Sequence, residues 1–149
     1  MTTQTDLIAL LREEIDVLER AADLLSWSYE RCSQVGGKDS YNKEDEERFE
    51  ALVGRFARLS DILVQKFFRL LDTLDLEPTG TARDRINQAE KKGIIENADD
   101  FIRMRLLRNR ITHEYALEAI SDIYKDVMMF TPVLLQAALR ARKYAQRYL

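Results

Sequence analysis

The amino-acid sequence predicts an all-α protein: an antiparallel bundle of about four to five helices, two of them long, plus a short helix. Three observations favour this fold class. Apolar residues recur at intervals of three or four over long stretches, the period of one helix face. Glycine, proline and capping residues divide these stretches into helix-sized segments. No stretch shows the alternation of apolar and polar residues that half-buried strands require.

The first predicted helix spans about residues 5–33. Its apolar positions are Leu7, Leu11, Ile15, Leu18, Ala22, Leu25 and Tyr29. Their spacing places them on one face of a helix. Gly36 and Gly37 end this helix, since glycine readily adopts the left-handed conformation found at helix C-termini.

The second long helix is predicted over about residues 43–74. Asn42 can cap its first turn, with Asp45 in the capping-box position three residues later. Its apolar positions are Phe49, Leu52, Phe56, Leu59, Leu63, Phe67, Leu70 and Leu74. At about 1.5 Å of rise per residue, each of these two helices is roughly 45 Å long.

A short helix is predicted after the turn at residues 78–80, Pro-Thr-Gly. Thr81 opens a capping-box pattern, and the short helix that follows ends near Gly93. Asn97 caps the next helix in the same way, and that helix continues towards Arg110.

The last third of the chain carries a further apolar stripe. Its members are Ala116, Ile120, Ile123, Val127 and Phe130. Thr131 and Pro132 resemble an N-cap and a first-turn proline, so we expect the chain to kink or restart there. The final helix then continues past Tyr144.

Length and composition indicate one domain over residues 1–149. Charged residues make up 33% of the chain, but the net charge is only -3, which excludes a strongly basic nucleic-acid binder. Any contact with RNA must therefore be local. The single cysteine, Cys32, excludes a disulfide within the chain and favours a reducing compartment.

The sequence also predicts a cytoplasmic protein that forms a homodimer. The N-terminus has no basic start followed by an apolar run, as a signal peptide would. No apolar stretch reaches the ~20 residues that span a membrane, so we expect no membrane partner. The apolar stripes are longer than one short domain easily covers, which favours pairing with a second copy.

Few residues could carry metal or nucleophilic chemistry. One histidine and one cysteine cannot form a zinc site, and carboxylate pairs with a Glu-x-x-His partner are absent. The sequence has neither a phosphate-binding glycine loop nor a Gly-x-Ser-x-Gly motif. We therefore expect no metal and no cofactor.

The segment 108–115, Arg-Asn-Arg-Ile-Thr-His-Glu-Tyr, is the chemically distinctive part of the chain. His113 is the only histidine, and a neutral imidazole can accept a proton from a hydroxyl. Arg108 can hold a phosphate through two hydrogen bonds. Together they could promote attack of an RNA 2'-hydroxyl on its own phosphodiester without a metal. In the alternative interpretation, Arg108 pairs with a surface carboxylate and His113 is an exposed or structural residue.

The spacing of this segment restricts its geometry. Arg108 and His113 are five positions apart, which is about 140° around a regular helix. Asn109 and His113, four positions apart, share one face. Either the helix loosens near Thr112 or the Arg108 side chain curls around it. We favour a break, because the apolar phase shifts after Ile111.

The pattern Arg108-Asn109-x-x-x-His113-x-Tyr115 resembles the core motif of the HEPN superfamily, and the trailing tyrosine is similar to that of HepT toxins. Such toxins are paired with a minimal nucleotidyltransferase antitoxin of the MNT type. The helical layout is similar to theirs over residues 63–74, 82–93 and 115–130. The resemblance covers about two-thirds of the chain in layout and eight residues in detail.

The resemblance implies roles for particular residues. Arg108 would bind or polarise the scissile phosphate, His113 would be general base or acid, and Asn109 would position the substrate or the imidazole. Tyr115 would be the acceptor that the antitoxin adenylylates. Asp61 lies between apolar residues of the second helix, where HEPN proteins often carry an acidic residue, although it could also lie at the edge of the stripe.

Three interpretations follow from the sequence. The first is a HEPN-type, toxin-like, metal-independent endoribonuclease subunit that acts on RNA and has a nucleotidyltransferase partner. The second is a non-catalytic substrate-binding or adaptor subunit of a nucleotidyltransferase. The third is a helical dimerisation module in which Tyr115 is an ordinary core residue and the motif is coincidental.

Overall fold

The structure, a computed structural model, describes residues 2–38, 40–113 and 117–149. Within these ranges it is helical with no strand, which confirms the all-α class. The elements are α1 (Gln4–Val35), α2 (Lys43–Asp61), a π-helical segment (Ile62–Phe67), α3 (Phe68–Leu74), α4 (Ala82–Lys91), α5 (Ala98–His113), α6 (Leu117–Ala145) and a 3-10 turn (Gln146–Tyr148). None of the helices in these ranges is both long and apolar enough to cross a bilayer.

Neighbouring long helices run antiparallel, as the ion pairs between α5 and α6 show. Glu96, just before α5, pairs with Arg140 near the end of α6 at 2.8 Å. Arg110, near the end of α5, pairs with Asp126 in the first half of α6 at 3.3 Å. Contacts that join the start of one helix to the end of the next are those of an antiparallel bundle.

The predicted apolar stripes form the core. Every predicted apolar position of residues 43–74 is buried, and on α1 the buried members include Leu11, Leu18 and Leu25. Phe56 and Phe101 are also fully buried. Burying such side chains stabilises the fold by about 1.5–3 kcal/mol each. These residues belong to one apolar core, and the candidate site lies where α2 and α5 pack against each other.

The caps predicted from sequence are present in the structure. The Asn42 side chain accepts a hydrogen bond from the amide of Asp45 at 2.8 Å. Thr81 and Asp84 form a capping box at the start of α4, and Asn97 accepts two amide hydrogen bonds at the start of α5. Each cap satisfies amides that the helix itself leaves without a partner. Caps involve only neighbouring residues, so the sequence predicts them well.

The restart predicted at Thr131 and Pro132 is wrong, because α6 continues unbroken through both residues for 29 residues. Thr131 is buried, and its hydroxyl donates to the carbonyl of Val127 at 2.6 Å instead of capping a new helix. Pro132 is exposed, so its ring faces away from the core. Buried Val127 and Leu134 keep the helix packed across the amide that proline lacks. α6 is therefore a third long helix.

A π-helical segment, Ile62–Phe67, follows Asp61, and no pattern in the sequence predicted it. There the amide of Phe68 bonds to the carbonyl of Leu63, five residues earlier. Side chains beside the predicted stripe are also buried in this turn, including Val64. Arg85 of α4 donates to the Val64 carbonyl at 3.0 Å. A neighbouring helix thus supplies a donor to the widened turn.

A polar cluster joins the end of α3 to α4 and α6. Lys92 is 8% exposed and lies 2.5 Å from Asp72 and 2.8 Å from Asp75. The hydroxyls of Tyr144 and Tyr148 donate to Asp75. Burial alone would lower the pKa of Lys92, but the hydrogen bonds that its ammonium donates to both carboxylates raise it. Burial also raises the pKa of Asp72, yet two carboxylates facing one ammonium favour a charged lysine.

Candidate functional site

Asp61 and Arg108, two residues singled out in the sequence, contact each other directly. Asp61 is the last residue of α2 and faces α5. Arg108 donates through Nε to Oδ1 at 2.9 Å and through Nη2 to Oδ2 at 2.8 Å. This two-point, charge-assisted geometry fixes the plane of the guanidinium.

Arg105 binds the same carboxylate, a contact that was not predicted from the sequence. Its Nη1 lies 2.8 Å from Asp61 Oδ1 and 3.2 Å from the hydroxyl of Ser60, which is buried. Arg105 and Arg108 are three positions apart and so share one helix face. This three-residue spacing is the pattern in the sequence from which a shared role of Arg105 and Arg108 could have been predicted. Two guanidiniums around one carboxylate leave a net positive charge at this point.

The electrostatics of the cluster favour charged groups throughout. Burial by itself would raise the pKa of Asp61, but hydrogen bonds and charges from Arg108 and Arg105 outweigh it and hold that pKa below its usual 3.8. The hydrogen bonds with Asp61 raise the pKa of Arg108. Asp61 is therefore an anchor for the guanidiniums, and it is not suited to act as a general base at neutral pH.

Arg108 keeps donors for a ligand despite these contacts. Nε and Nη2 bind Asp61, and Nη1 donates to the hydroxyl of Thr112. A guanidinium has five hydrogens, so one on each Nη atom is not taken by a group that the structure describes. The Arg108 side chain is 25% exposed. It can therefore contact an anion while Asp61 holds it.

The expected break at Thr112 is not found, since α5 continues through Thr112 to His113. Asn109 and His113 are exposed and lie on one face of α5. Arg108 points to a different side, about 140° away from His113 around the helix axis. Within one copy of the chain, the structure joins Arg108 to Asp61 and places Asn109 and His113 on a neighbouring face. Tyr115 lies outside the described residues.

The Asp61–Arg108 pair lies at the wall of an open groove between α1 and α2, with a volume of about 810 Å³. We call it the α1–α2 groove. Its apolar floor includes Val17 and Leu24, which are 42% and 45% exposed. Its cationic residues besides Arg108 are Arg20, Arg58 and Lys66. The groove thus combines apolar surface with an excess of positive charge.

Neither metal geometry nor known relatives assign this site. Among the residues that the structure describes, no group of three or more His, Cys, Asp or Glu side chains is placed to hold a metal ion. The chain matches no protein-family model, and no curated protein shows significant similarity to it. The chemistry of the site has to be inferred from its own residues.

Proposed function

We propose that the chain is a HEPN-type, toxin-like endoribonuclease subunit that cleaves RNA without a metal and has a minimal nucleotidyltransferase as its antitoxin partner. The observation that carries this proposal is the two-point bond between Asp61 and Arg108. It anchors the motif arginine through Asp61 on the second helix, the helix on which the HEPN proteins that the motif resembles often carry an acidic residue. An anchored guanidinium is suited to hold a phosphodiester, and the exposed imidazole of His113 on the neighbouring face of α5 is the candidate proton acceptor.

The proposed reaction uses the 2'-hydroxyl of RNA as the nucleophile. The imidazole of His113 accepts the hydroxyl proton, and the 2'-oxygen forms a bond to phosphorus. Arg108, with Arg105 behind it, stabilises the negative charge that develops on the phosphate oxygens. The bond from phosphorus to the 5'-oxygen breaks, and that oxygen takes a proton from the imidazolium or from water. The products are a 2',3'-cyclic phosphate and a 5'-hydroxyl.

A homodimer forms part of this proposal. His113 and Arg108 face different sides of α5 within one chain, so a second copy facing the first would bring further cationic groups to the cleft. Tyr115, assigned by the resemblance alone, would accept AMP from the nucleotidyltransferase. The added bulk and negative charge would exclude RNA from the neighbouring site.

Substitution of Arg108 tests the anchored guanidinium. We expect Arg108→Ala to slow RNA cleavage in EDTA by roughly 100-fold or more, because a charge-stabilising donor is lost. Arg108→Lys should restore only part of the rate, since lysine cannot bind Asp61 and phosphate in the same planar geometry. Arg83→Ala removes an exposed arginine of α4 and serves as the matched control. Equal rates for Arg108→Ala and the control would contradict the proposal.

The second candidate function is a non-catalytic substrate-binding or adaptor subunit of a nucleotidyltransferase. It is favoured by the separation of Arg108 from His113 on α5 and by the size of the α1–α2 groove. This candidate predicts that the protein binds its partner and a polyanion but leaves RNA intact. Co-purification with the nucleotidyltransferase, in the absence of any cleavage by unmodified protein, would support it over the first.

A further inference from the structure

Trp27 is a large aromatic side chain on the surface of α1, with 54% of its area exposed. Two guanidiniums flank its ring: Arg31 at 4.7 Å and Arg55 at 5.6 Å from the ring centroid. Arg55 is fixed by a 2.5 Å hydrogen bond to Ser28, which is buried between α1 and α2. An exposed, flat aromatic ring therefore lies next to two positive charges.

The face of α1 that lines the α1–α2 groove extends to Trp27. Val17, Arg20, Leu24, Trp27 and Arg31 follow one another at steps of three or four along α1, so they form one face. A cavity of about 300 Å³ lies beside Trp27. It is bordered by α2, which also forms the groove wall. One open surface therefore extends from Trp27 to Arg108.

The length of this surface suits a short stretch of polynucleotide. Arg55, beside Trp27, and Asp61, beside Arg108, are six positions apart on α2. The rise of the helix separates them by about 9 Å. That distance is close to three of the ~3.4 Å steps between neighbouring phosphates along one strand of a duplex.

This surface carries an excess of positive charge, whereas the net charge of the whole chain is negative. Its two cavities are lined by seven cationic and three acidic side chains, whereas the chain as a whole has more acidic than basic residues. Five of the cations make no ion pair with any described residue: Arg20, Arg31, Arg55, Arg58 and Lys66. On the α6 side, by contrast, Arg140 and Arg142 are paired with glutamates. The uncompensated charge favours a polyanion as the occupant.

We propose that this surface binds single-stranded RNA, with one base stacked on Trp27 and the backbone phosphates bound by Arg55 and Arg58. This path leads the RNA strand to Arg108. Stacking on an exposed aromatic ring beside guanidiniums is how proteins bind single strands without sequence preference. The unpaired cations favour RNA over a protein partner, whose surface would have to supply many carboxylates. The inference rests on the proposed function for the fate of the RNA, but the binding itself does not depend on cleavage.

The fluorescence of Trp27 provides the test, because it is the only tryptophan in the chain. The full-length protein is titrated with a short 2'-O-methyl oligouridylate, which lacks the attacking hydroxyl and cannot be cut by the proposed reaction. We expect quenching that saturates. Arg58→Ala should reduce the dependence of log affinity on log salt by about 0.7, the value for one phosphate contact on a single strand. Arg83→Ala, outside the groove, should leave affinity and salt dependence unchanged.

The variants at Trp27 are followed by fluorescence anisotropy of a labelled oligonucleotide. Trp27→Ala should weaken binding by at least roughly five-fold, the lower end of the loss of one base–aromatic stack. Trp27→Phe should recover most of the affinity, because it keeps an aromatic face. Circular dichroism checks that each variant is folded. Unchanged affinity in folded Trp27→Ala, or absence of quenching in the wild type, overturns the proposal.

Two comparisons separate this inference from the proposed function. If the wild type cuts no RNA but the Trp27 titration succeeds, the binding surface stands and the ribonuclease proposal fails. If the wild type cuts RNA and Trp27→Ala has the same KM, the ribonuclease stands and the binding surface fails. If the wild type shows no quenching and Trp27→Ala converts a dimer to a monomer, the surface is an interface between copies and the inference is overturned.

Discussion

At the scale of single residues, the central contact is the one in which the Asp61 carboxylate fixes the position of the Arg108 guanidinium. Because the folded-state pKa of Asp61 is below 3.8, its ionised form stabilises the fold fully above about pH 4. This contribution is lost as the pH falls through the folded-state pKa. Asp61→Asn should therefore lower the free energy of unfolding by about 1–2 kcal/mol at neutral pH, a value reduced for partial solvent exposure.

The measurement is urea unfolding of wild type and Asp61→Asn at about pH 7 and about pH 3. The difference between the two proteins should shrink at the lower pH, where the wild-type carboxyl also begins to bind a proton. A difference that stays constant or grows at low pH would show that Asp61 stabilises the fold by something other than its charge.

Lys92 lies at the centre of the second charged cluster, which is at the C-terminal end of α3. Lys92→Met should lower the free energy of unfolding by about 3 kcal/mol or more, because Asp72 and Asp75 are then left without a cation in a poorly hydrated environment. Lys91→Met, at the exposed neighbouring position, is the control and should change stability by less than about 0.5 kcal/mol. Similar unfolding midpoints for both variants would contradict this assignment.

Sequence identified Asp61, Arg108, Asn109 and His113 as individual candidates, but the structure decides which of them meet. The bond between Asp61 and Arg108 joins residues 47 positions apart, and such contacts leave no local pattern. Arg105 was overlooked for the same reason: its role depends on a carboxylate from another helix. The proposed catalytic roles of Arg108 and His113 remain predictions from the motif.

At the scale of elements, the π-helical segment Ile62–Phe67 is a helix with one extra residue in its turn. Deleting exposed Gln65 should convert this turn to a regular α-helix while the flanking faces keep their directions. Deleting exposed Asp16 from the regular helix α1 should instead rotate one part by about 100° and displace buried side chains. We therefore expect a loss below about 2 kcal/mol for the first deletion and above about 4 kcal/mol for the second.

Thermal unfolding followed by circular dichroism compares these two deletions. The result would contradict the assignment of an extra residue if the Gln65 deletion unfolded as readily as the Asp16 deletion. A Gln65 deletion that keeps the fold but slows cleavage would show that the widened turn directs Asp61 towards α5.

Element boundaries were predicted well wherever neighbouring residues determine them. Asn42 and Thr81 cap their helices as expected, because the cap is made by residues three positions away. At Pro132 the prediction from neighbouring residues was wrong. Thr-Pro locally favours a helix start, but packing of α6 against the core overrides that preference and the helix continues. The π-helical segment was not predicted, and the donor that binds the Val64 carbonyl in its widened turn comes from Arg85 on α4, which is distant in sequence.

At the scale of the whole molecule, the distribution of charge matters more than its sum. The net charge of -3 indicated that any contact with RNA would be local. The structure places an excess of cations along α1 and α2, between Trp27 and Arg108. This excess was not predicted from the sequence, because the cations come from two helices that line opposite sides of one surface. The predicted homodimer would bring a second copy of α5 to the first, and it belongs to the proposal.

The most direct measurement is cleavage of a mixed RNA pool in EDTA by wild-type protein beside His113→Ala, with the chemical ends of the products determined. We expect the wild type to give 2',3'-cyclic phosphate and 5'-hydroxyl ends, and His113→Ala, equally folded because the side chain is exposed, to give none. Mass spectrometry first establishes that neither protein carries AMP. Intact RNA with both proteins, or equal cleavage by both, would contradict a ribonuclease that uses His113.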